Sequence, residues 1–325
     1  MDGVVTARER LDPGLAVDFP EIDIRKGDLV GNVRRFRAAL RELQPRTILT
    51  HNFGSIEWAI ANRIPLSHHV HVEDGFGPEE RTVQLPRRVW LRRFFLRGRP
   101  VVLPSQNLMR IAREIWRLDQ RCLHYVPNGI DLARFAGGVT RQAWPGAGPL
   151  IGTVAALRPE KNIARLIRSF AAANQRVPAR LVLIGDGPER EALEHLVHAN
   201  NVRDRVRFAG HVPQPAELIK SLDIFAMSSD TEQMPISLLE AMAAGLPTVA
   251  TDVGDIRVML PESAGPFVTA CDDDALSTAM IAMIERADLR LELGAASRQK
   301  AVEEFDQDKM FARWSTLLEA GQRSS

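Results

Sequence analysis

Short aliphatic runs alternate along this chain with longer segments whose apolar positions recur every three or four residues. In the first half, "VGNVRRFRAALRELQP" predicts a helix and "RTILTHN" a strand. A helix around "SIEWAIANR" follows, then a strand in "LSHHVHVE", a helix across "RRVWLRRFFLRG" and a strand "PVVLPS". "HYVPNGIDLARF" comes next, with a strand end, a turn and a short helix. The stretch from Ala136 to Pro149 is rich in Gly, Pro and small residues, breaks the periodicity and reads as a linker.

The second half is more regular. "LIGTVAAL", "ARLVLIG", "VRFAG" and "DIFAMSS" predict strands, with helices at "KNIARLIRSFAAANQR", "EREALEHLVHAN" and "PAELIKSL" between them. Pro188 is placed in the first turn of the second of these helices. "LSTAMIAMIERA" and "MFARWSTLLEAG" read as closing helices. Strand–helix alternation of this kind builds parallel sheets covered on both faces. The fold class is therefore α/β, with two Rossmann-like, doubly wound domains in tandem. We place the first at 1–140, the second at 141–307, and a final helix at 308–325 that is expected to cross back to the first domain.

Composition narrows the function classes. The chain has 325 residues, 45% apolar and 26% charged, as a globular enzyme of two domains would. A formal net charge of +1 supplies no global field for nucleic acid. Cys122 and Cys271 stand far apart, which fits neither a disulfide framework nor a zinc site and suits a reducing cytoplasm. No apolar run reaches the ~18 residues of a membrane span.

The chemistry concentrates in "DTEQMPISLLEAMAAGLPTVATDVGD", Asp230 to Asp255, where Glu232 and Glu240 stand eight positions apart. In parallel sheets ligands collect at the carboxyl ends of strands, where helix N-termini point amides outward. Pro235 suits a helix start, and Gly245 with Pro247 a helix stop. Ile236, Leu239, Met242 and Ala243 would share an inward face, with Glu240 beside it in the helix and Glu232 in the preceding loop. A hydroxyl-rich ligand across the helix N-terminus could use both acids. The plainer alternative makes one a loop charge and the other a solvated helix residue.

This segment closely resembles the E-x7-E motif of the retaining glycosyltransferases of family four, which have the GT-B fold of two Rossmann-like domains facing a central cleft. "YVPNGIDLARF" is similar to the family's interdomain signature, "GTVAALRPEKN" to its phosphate-clamp strand and loop, and "LVLIGDGPERE" to its G-x-G-P turn. "VRFAGHVPQPAELIKSLDIFAMSSD" resembles the approach to the first Glu. The likeness runs from Tyr125 to the C-terminus, and more loosely before it.

The resemblance implies a hexosyltransferase-like, metal-independent enzyme with a nucleotide-diphosphate sugar as co-substrate and no cofactor. Its acceptor would be a saccharide or a lipid-linked sugar in polysaccharide or glycolipid synthesis. Glu240 would hold the ribose and Glu232 the transferred sugar. Amides near Met234 and Ile236 would face the distal phosphate, with one donor absent at Pro235. The base would lie near Gly185, Asp186 and Gly187, its backbone near Val212. Lys161 would neutralise the leaving diphosphate. In register the clamp arginine falls on Ala156, and Arg158, two residues later, is the substitute. His71, after alternating with His69 on one strand, is expected to face the cleft near the reacting sugar; His51 is a second candidate.

Two further expectations complete the reading. "RRVWLRRFFLRGR" interleaves arginines from Arg87 to Arg99 with Trp90, Leu91, Phe94 and Phe95. That pattern suits peripheral contact with an anionic membrane or a lipid-diphosphate acceptor, or simply a solvated basic face. The start, "MDGVVTARERLDPGLAVDF", resembles a later point of the first domain, so the family's opening strand and Gly-rich loop are expected to be missing. Rival functions are a nucleotide-sugar epimerase of the same fold and a catalytically silent sugar-nucleotide binder.

Overall fold

The computed structural model describes residues 17–18, 20–80, 83–138, 144 and 146–319. Part of the linker stretch (139–143 and 145) and the opening segment before residue 17 lie outside them.

Asp28 opens the first described helix, α1 (Leu29–Leu43), by accepting from the Gly31 amide at 2.9 Å. Phe36 and Leu40, four residues apart on one face, bury against Ile48 and Ala61. The chain continues through β1 (Thr47–His51), α2 (Ile56–Ala61), β2 (His68–Val72), α3 (Pro86–Phe95), β3 (Val101–Leu103), α4 (Gln106–Glu114) and β4 (Leu123–Tyr125). Among the described residues these strands form one parallel sheet in the order β1-β2-β3-β4.

Helix α4 occupies a stretch where the sequence reading placed no element. Its signals are nonetheless local: the Ser105 hydroxyl accepts from the Leu108 amide at 3.0 Å, and Leu108, Ile111 and Ala112 bury one face.

The second sheet is built from β5 (Leu150–Val154), α5 (Ile163–Asn174), β6 (Arg180–Ile184), α6 (Arg190–Ala199), β7 (Val206–Gly210), α7 (Ala216–Lys220), β8 (Ile224–Met227), α8 (Ile236–Ala243), β9 (Thr248–Thr251), α9 (Ile256–Met259) and β10 (Val268–Thr269). Pro188 lies in the turn before α6 rather than inside it. The strands run parallel in the order β10-β9-β8-β5-β6-β7. All four residues of β8 and of β9 are buried, because helices cover both faces. The winding reverses between β5 and β8. The loops leaving these two strands therefore part at the carboxyl edge and open a crevice.

Three helices close the described residues: α10 (Asp273–Glu285), α11 (Ala287–Glu304) and α12 (Gln307–Glu319). The sequence reading passed over α11, and its buried face explains why. That face is Leu293, Gly294, Ser297 and Ala301, too small and polar to register as an apolar stripe. It works by close approach, since a Cβ on Gly294 would sit 2.2 Å from the Gly245 carbonyl oxygen.

Helix α12 then packs on the first sheet. The Ile130 amide donates to the Phe305 carbonyl at 2.8 Å, and the Gln307 amide to that of Ile130 at 3.1 Å. Met310, Trp314 and Leu317 cover Val70, Val72, Val102 and Val126. The chain thus crosses between the two sheets twice, and the carboxyl edges of both face one cleft.

Candidate active site between the two sheets

The reversal at β5 and β8 brings together residues far apart in sequence. The loop after β5 carries Arg158 and Lys161; the loop after β8 carries Ser229, Asp230 and Glu232. Lys161 Nζ lies 2.5 Å from Glu232 Oε1, and the Ser229 hydroxyl donates to the same oxygen at 2.8 Å. The two loops are stitched further by Asp230 N–H to the Glu160 carbonyl at 2.9 Å and by Arg165, which bonds the Ser228 carbonyl at 2.8 Å. Glu232, 8% exposed in its side chain, is thus a largely buried carboxylate whose charge is balanced by one lysine.

These residues line a cavity of about 870 Å³. Arg158, Lys161, Glu232 and Met234 form its second-domain side; Asp74, Phe76, Asn107 and Arg110 form the opposite side. Arg158 reaches the cavity although Ala156 holds the register position, so two cations line it. Among the described residues no group of three His, Cys, Asp or Glu side chains is arranged to hold a metal ion.

The other second-domain candidates are not among the residues that line the cavity. Glu240 is 9% exposed on α8; burial pushes its carboxyl pKa up, and the nearby Arg134 charge pulls it back. Gly185, Asp186 and Gly187 turn the chain at the end of β6, where the Gly185 amide donates to the Gly210 carbonyl at 2.8 Å. Val212 lies half-buried beyond β7. Pro235 precedes the first residue of α8. Ile236 points outward at 56% exposure, against the inward face expected of it, because Leu238 and Leu239 of the same turn take the buried face.

The first-domain wall differs from its sequence reading. His71 does not face the cleft: it is fully buried, its Nδ1 2.8 Å from the Thr50 hydroxyl and its Nε2 3.3 Å from Glu73. The strand alternation is as expected, but the face carrying both histidines turns into the sheet layer. His69 Nε2 meets the same hydroxyl at 2.7 Å, while its Nδ1 is buried without a partner. Burial and the neighbouring His71 push the His69 pKa down to about 3. His51, the second candidate, stands exposed at the end of β1 with its Nε2 on Asp74, one of the cavity-lining residues.

Arg92 is likewise not a surface charge. It is 1% exposed and bridges two buried carboxylates, Glu73 at 2.9 Å and Glu80 at 3.1 Å, with the Phe53, Phe76 and Trp116 rings around its guanidinium. Burial alone would raise the Glu80 pKa, but bonds from Arg92 and Arg88 hold it below the usual range. Arg88 pairs with Glu79 and Glu80, and Arg99 bonds carbonyls of Asn62 and Arg63. The exposed side chains of this segment are those of Arg87, Trp90, Arg93, Phe94 and Arg97. Trp90 and Phe94 stack at 5.3 Å beside a cavity of about 540 Å³ that Arg63, Arg93, Arg97 and Arg117 also line.

Residues 6–134 match the family Glycosyltransferase Family 4, and residues 140–300 match Glycosyl transferases group 1. N-acetyl-alpha-D-glucosaminyl L-malate synthase of Bacillus anthracis is 30% identical over 49% of this chain and 42% of its own. A GDP-mannose-dependent alpha-(1-6)-phosphatidylinositol monomannoside mannosyltransferase of Mycobacterium tuberculosis is 29% identical over 60% of this chain and 55% of its own. The chain spans about half the length of these curated relatives. Among solved structures, Anabaena HepE in complex with UDP superimposes with a TM-score of 0.77 at 18% identity, over 89% of this chain and 82% of that one. Sucrose-phosphate synthase of Thermosynechococcus elongatus gives 0.78 at 19%, over 97% and 88%. The architecture is the GT-B fold.

Two outcomes follow for the first-domain wall. Arg92→Gln strands two buried carboxylates and should destabilise the protein by about 3–5 kcal/mol, measured by urea unfolding. A loss below about 1 kcal/mol would show that the cluster is not held by this cation. Between pH 6.5 and about 3 the unfolded chain binds a proton at His69 that the folded protein refuses. Stability should therefore fall on acidification, by at most about 2 kcal/mol from pH 6.5 to 5. His69→Gln should remove that part of the slope; an identical slope in the variant would assign it elsewhere.

Proposed function

We propose a specific reaction for this chain, which belongs to the family-four glycosyltransferases: a sugar passes from a nucleotide-diphosphate donor to an acceptor hydroxyl with retention at the anomeric carbon. The observation that carries the reading is the Lys161–Glu232 pair at the β5/β8 crevice, with Arg158 beside it, on a cavity between the two sheets. A cation pair opposite a carboxylate suits a ligand with a diphosphate at one end and hydroxyls at the other.

In this reading Lys161 leaves Glu232 for the distal phosphate when donor enters, and Glu232 turns to the hydroxyls of the sugar. The amides at the start of α8, at Met234 and Ile236, meet the same phosphate; Pro235 has none to offer. Glu240 takes the ribose, and the turn from Gly185 to Gly187 with Val212 takes the base. Negative charge grows on the leaving phosphate, so Lys161 and Arg158 act most strongly in the transition state. That phosphate then accepts the proton of the acceptor hydroxyl on the same face of the sugar. No metal is required in this scheme, and His71 has no part in it.

The acceptor side is read from the flank of α3. Trp90 and Phe94, 57% and 48% exposed, form an apolar ridge among Arg63, Arg93, Arg97 and Arg117. Such a ridge fits the headgroup layer of an anionic membrane. The relative that acts on a phosphatidylinositol monomannoside supports a lipid-linked acceptor. We place the protein in the cytoplasm, peripheral on the membrane's inner face. No helix among the described residues is long and apolar enough to cross one.

Lys161→Ala should lower turnover about 100-fold or more while donor affinity changes less than about tenfold. Activity should persist in excess chelator, and the anomeric configuration of the product, read by NMR, should match that of the donor. Loss of activity with chelator and recovery with magnesium would overturn the metal-free scheme. Conversion of donor without any acceptor would point to an epimerase instead. For the flank, Arg93→Gln with Arg97→Gln should weaken binding to phosphatidylglycerol-containing vesicles, by about 1 kcal/mol per arginine. Vesicle binding that is absent, or indifferent to salt, would leave the flank a solvated face.

A further inference from the structure

One carboxylate reaches across the cleft to the other domain. Asp255, immediately before α9, is 3% exposed. Its Oδ2 accepts from the Gln106 amide at 2.5 Å and its Oδ1 from the Asn107 amide at 2.9 Å. These amides open α4, and the first amides of a helix have no partner inside it. Ser105 already serves the next amide, that of Leu108, at 3.0 Å. An acid of the second domain therefore completes the cap of a helix in the first, where its charge also meets the positive end of the helix dipole.

The contact extends directly into the loop that carries Glu232. Gln233 Oε1 accepts from the Ser105 hydroxyl at 3.3 Å and from Asn107 Nδ2 at 3.2 Å. The Asp255 amide donates to the Gln233 carbonyl at 3.0 Å, and Asn128 Nδ2 to the Met234 carbonyl at 3.2 Å. Gly254 makes this stacking of loops feasible: at φ 58°, a Cβ there would lie 2.2 Å from the Glu232 carbonyl oxygen.

We infer that Asp255 is a positioning residue, a clasp that ties the Glu232 loop to the N-terminus of α4 and so sets the spacing of donor and acceptor sides. Among the described residues, the bonds that its two oxygens accept come from first-domain amides. The clasp acts on turnover through Glu232, and that part rests on the glycosyltransferase reading. Its effect on domain spacing does not. Since the donor is assigned to the second domain, breaking the clasp should slow transfer while sparing nucleotide binding.

The test uses the full chain as wild type, Asp255→Ala, Asp255→Asn and Gln233→Ala. Small-angle X-ray scattering should show a larger radius of gyration for Asp255→Ala. Amide exchange at Gln106 and Asn107 should quicken about tenfold or more as the charge-assisted bonds are lost. Asp255→Asn keeps one acceptor oxygen and should fall between. Turnover should drop about tenfold in Asp255→Ala with the Kd for UDP or GDP within about threefold. The double variant with Gln233→Ala should add little, because both residues hold one contact.

Unchanged scattering and exchange in Asp255→Ala would overturn the clasp. So would an equal loss of turnover and nucleotide affinity accompanied by faster exchange throughout β8 and β9, which would make Asp255 a support of its own domain. A wild-type protein that binds neither nucleotide and transfers no sugar would sink the enzyme reading; scattering and exchange would still decide the clasp.

Discussion

The close approach of Lys161 to Glu232 is the contact on which the rest of this molecule turns. It exists because the six-stranded sheet reverses its winding between β5 and β8. Each strand there is buried on both faces, so neither loop can bury its polar ends in the sheet. They are driven to the carboxyl edge, where a lysine and a carboxylate neutralise each other at the mouth of a cavity.

The two halves of the cleft are built by different physics. Behind Glu232 lies one continuous apolar cluster, from Leu150 through Leu166, Phe225 and Leu239 to Met280, which gives the second-domain side a rigid footing. Behind Asp74 the first domain places Thr50, His69, His71, Glu73, Glu80 and Arg92 in its interior. Burying two carboxylates is costly unless a cation is fixed between them, and Arg92, surrounded by three aromatic rings, is that cation. The wall it supports is therefore specified by charge balance, whereas the second-domain side is specified by packing.

The segment from Arg87 to Arg99 shows how one basic helix can serve both purposes. Arg92 and Arg88 turn inward to the acids, and Arg99 caps carbonyls. Arg93 and Arg97 remain outside with Trp90 and Phe94. Charge counts along the chain made this one uniform face; the fold divides it into a structural half and a surface half.

Much of this protein was legible in its residues alone. The alternation of strands and helices, the α/β class with two sheets, and the clustering of chemistry after "DIFAMSS" follow from periods and stop signals that act over a few residues. The likeness to family-four glycosyltransferases came from motifs of the same short range. What local pattern could not carry was which face of an element looks where. His71 alternates as a strand residue should, yet whether that face meets the cleft or the sheet layer depends on α3 and its arginine. Helix α11 hides because its buried side is Gly294, Ser297 and Ala301, chosen to let backbones approach rather than to exclude water. Lys161 and Glu232 are 71 residues apart, and Asp255 and Gln106 are 149. Pairings at such separations are decided by strand order and by the apposition of two domains, because a side chain's partner is a matter of where the backbone brings it and not of what stands beside it in the chain.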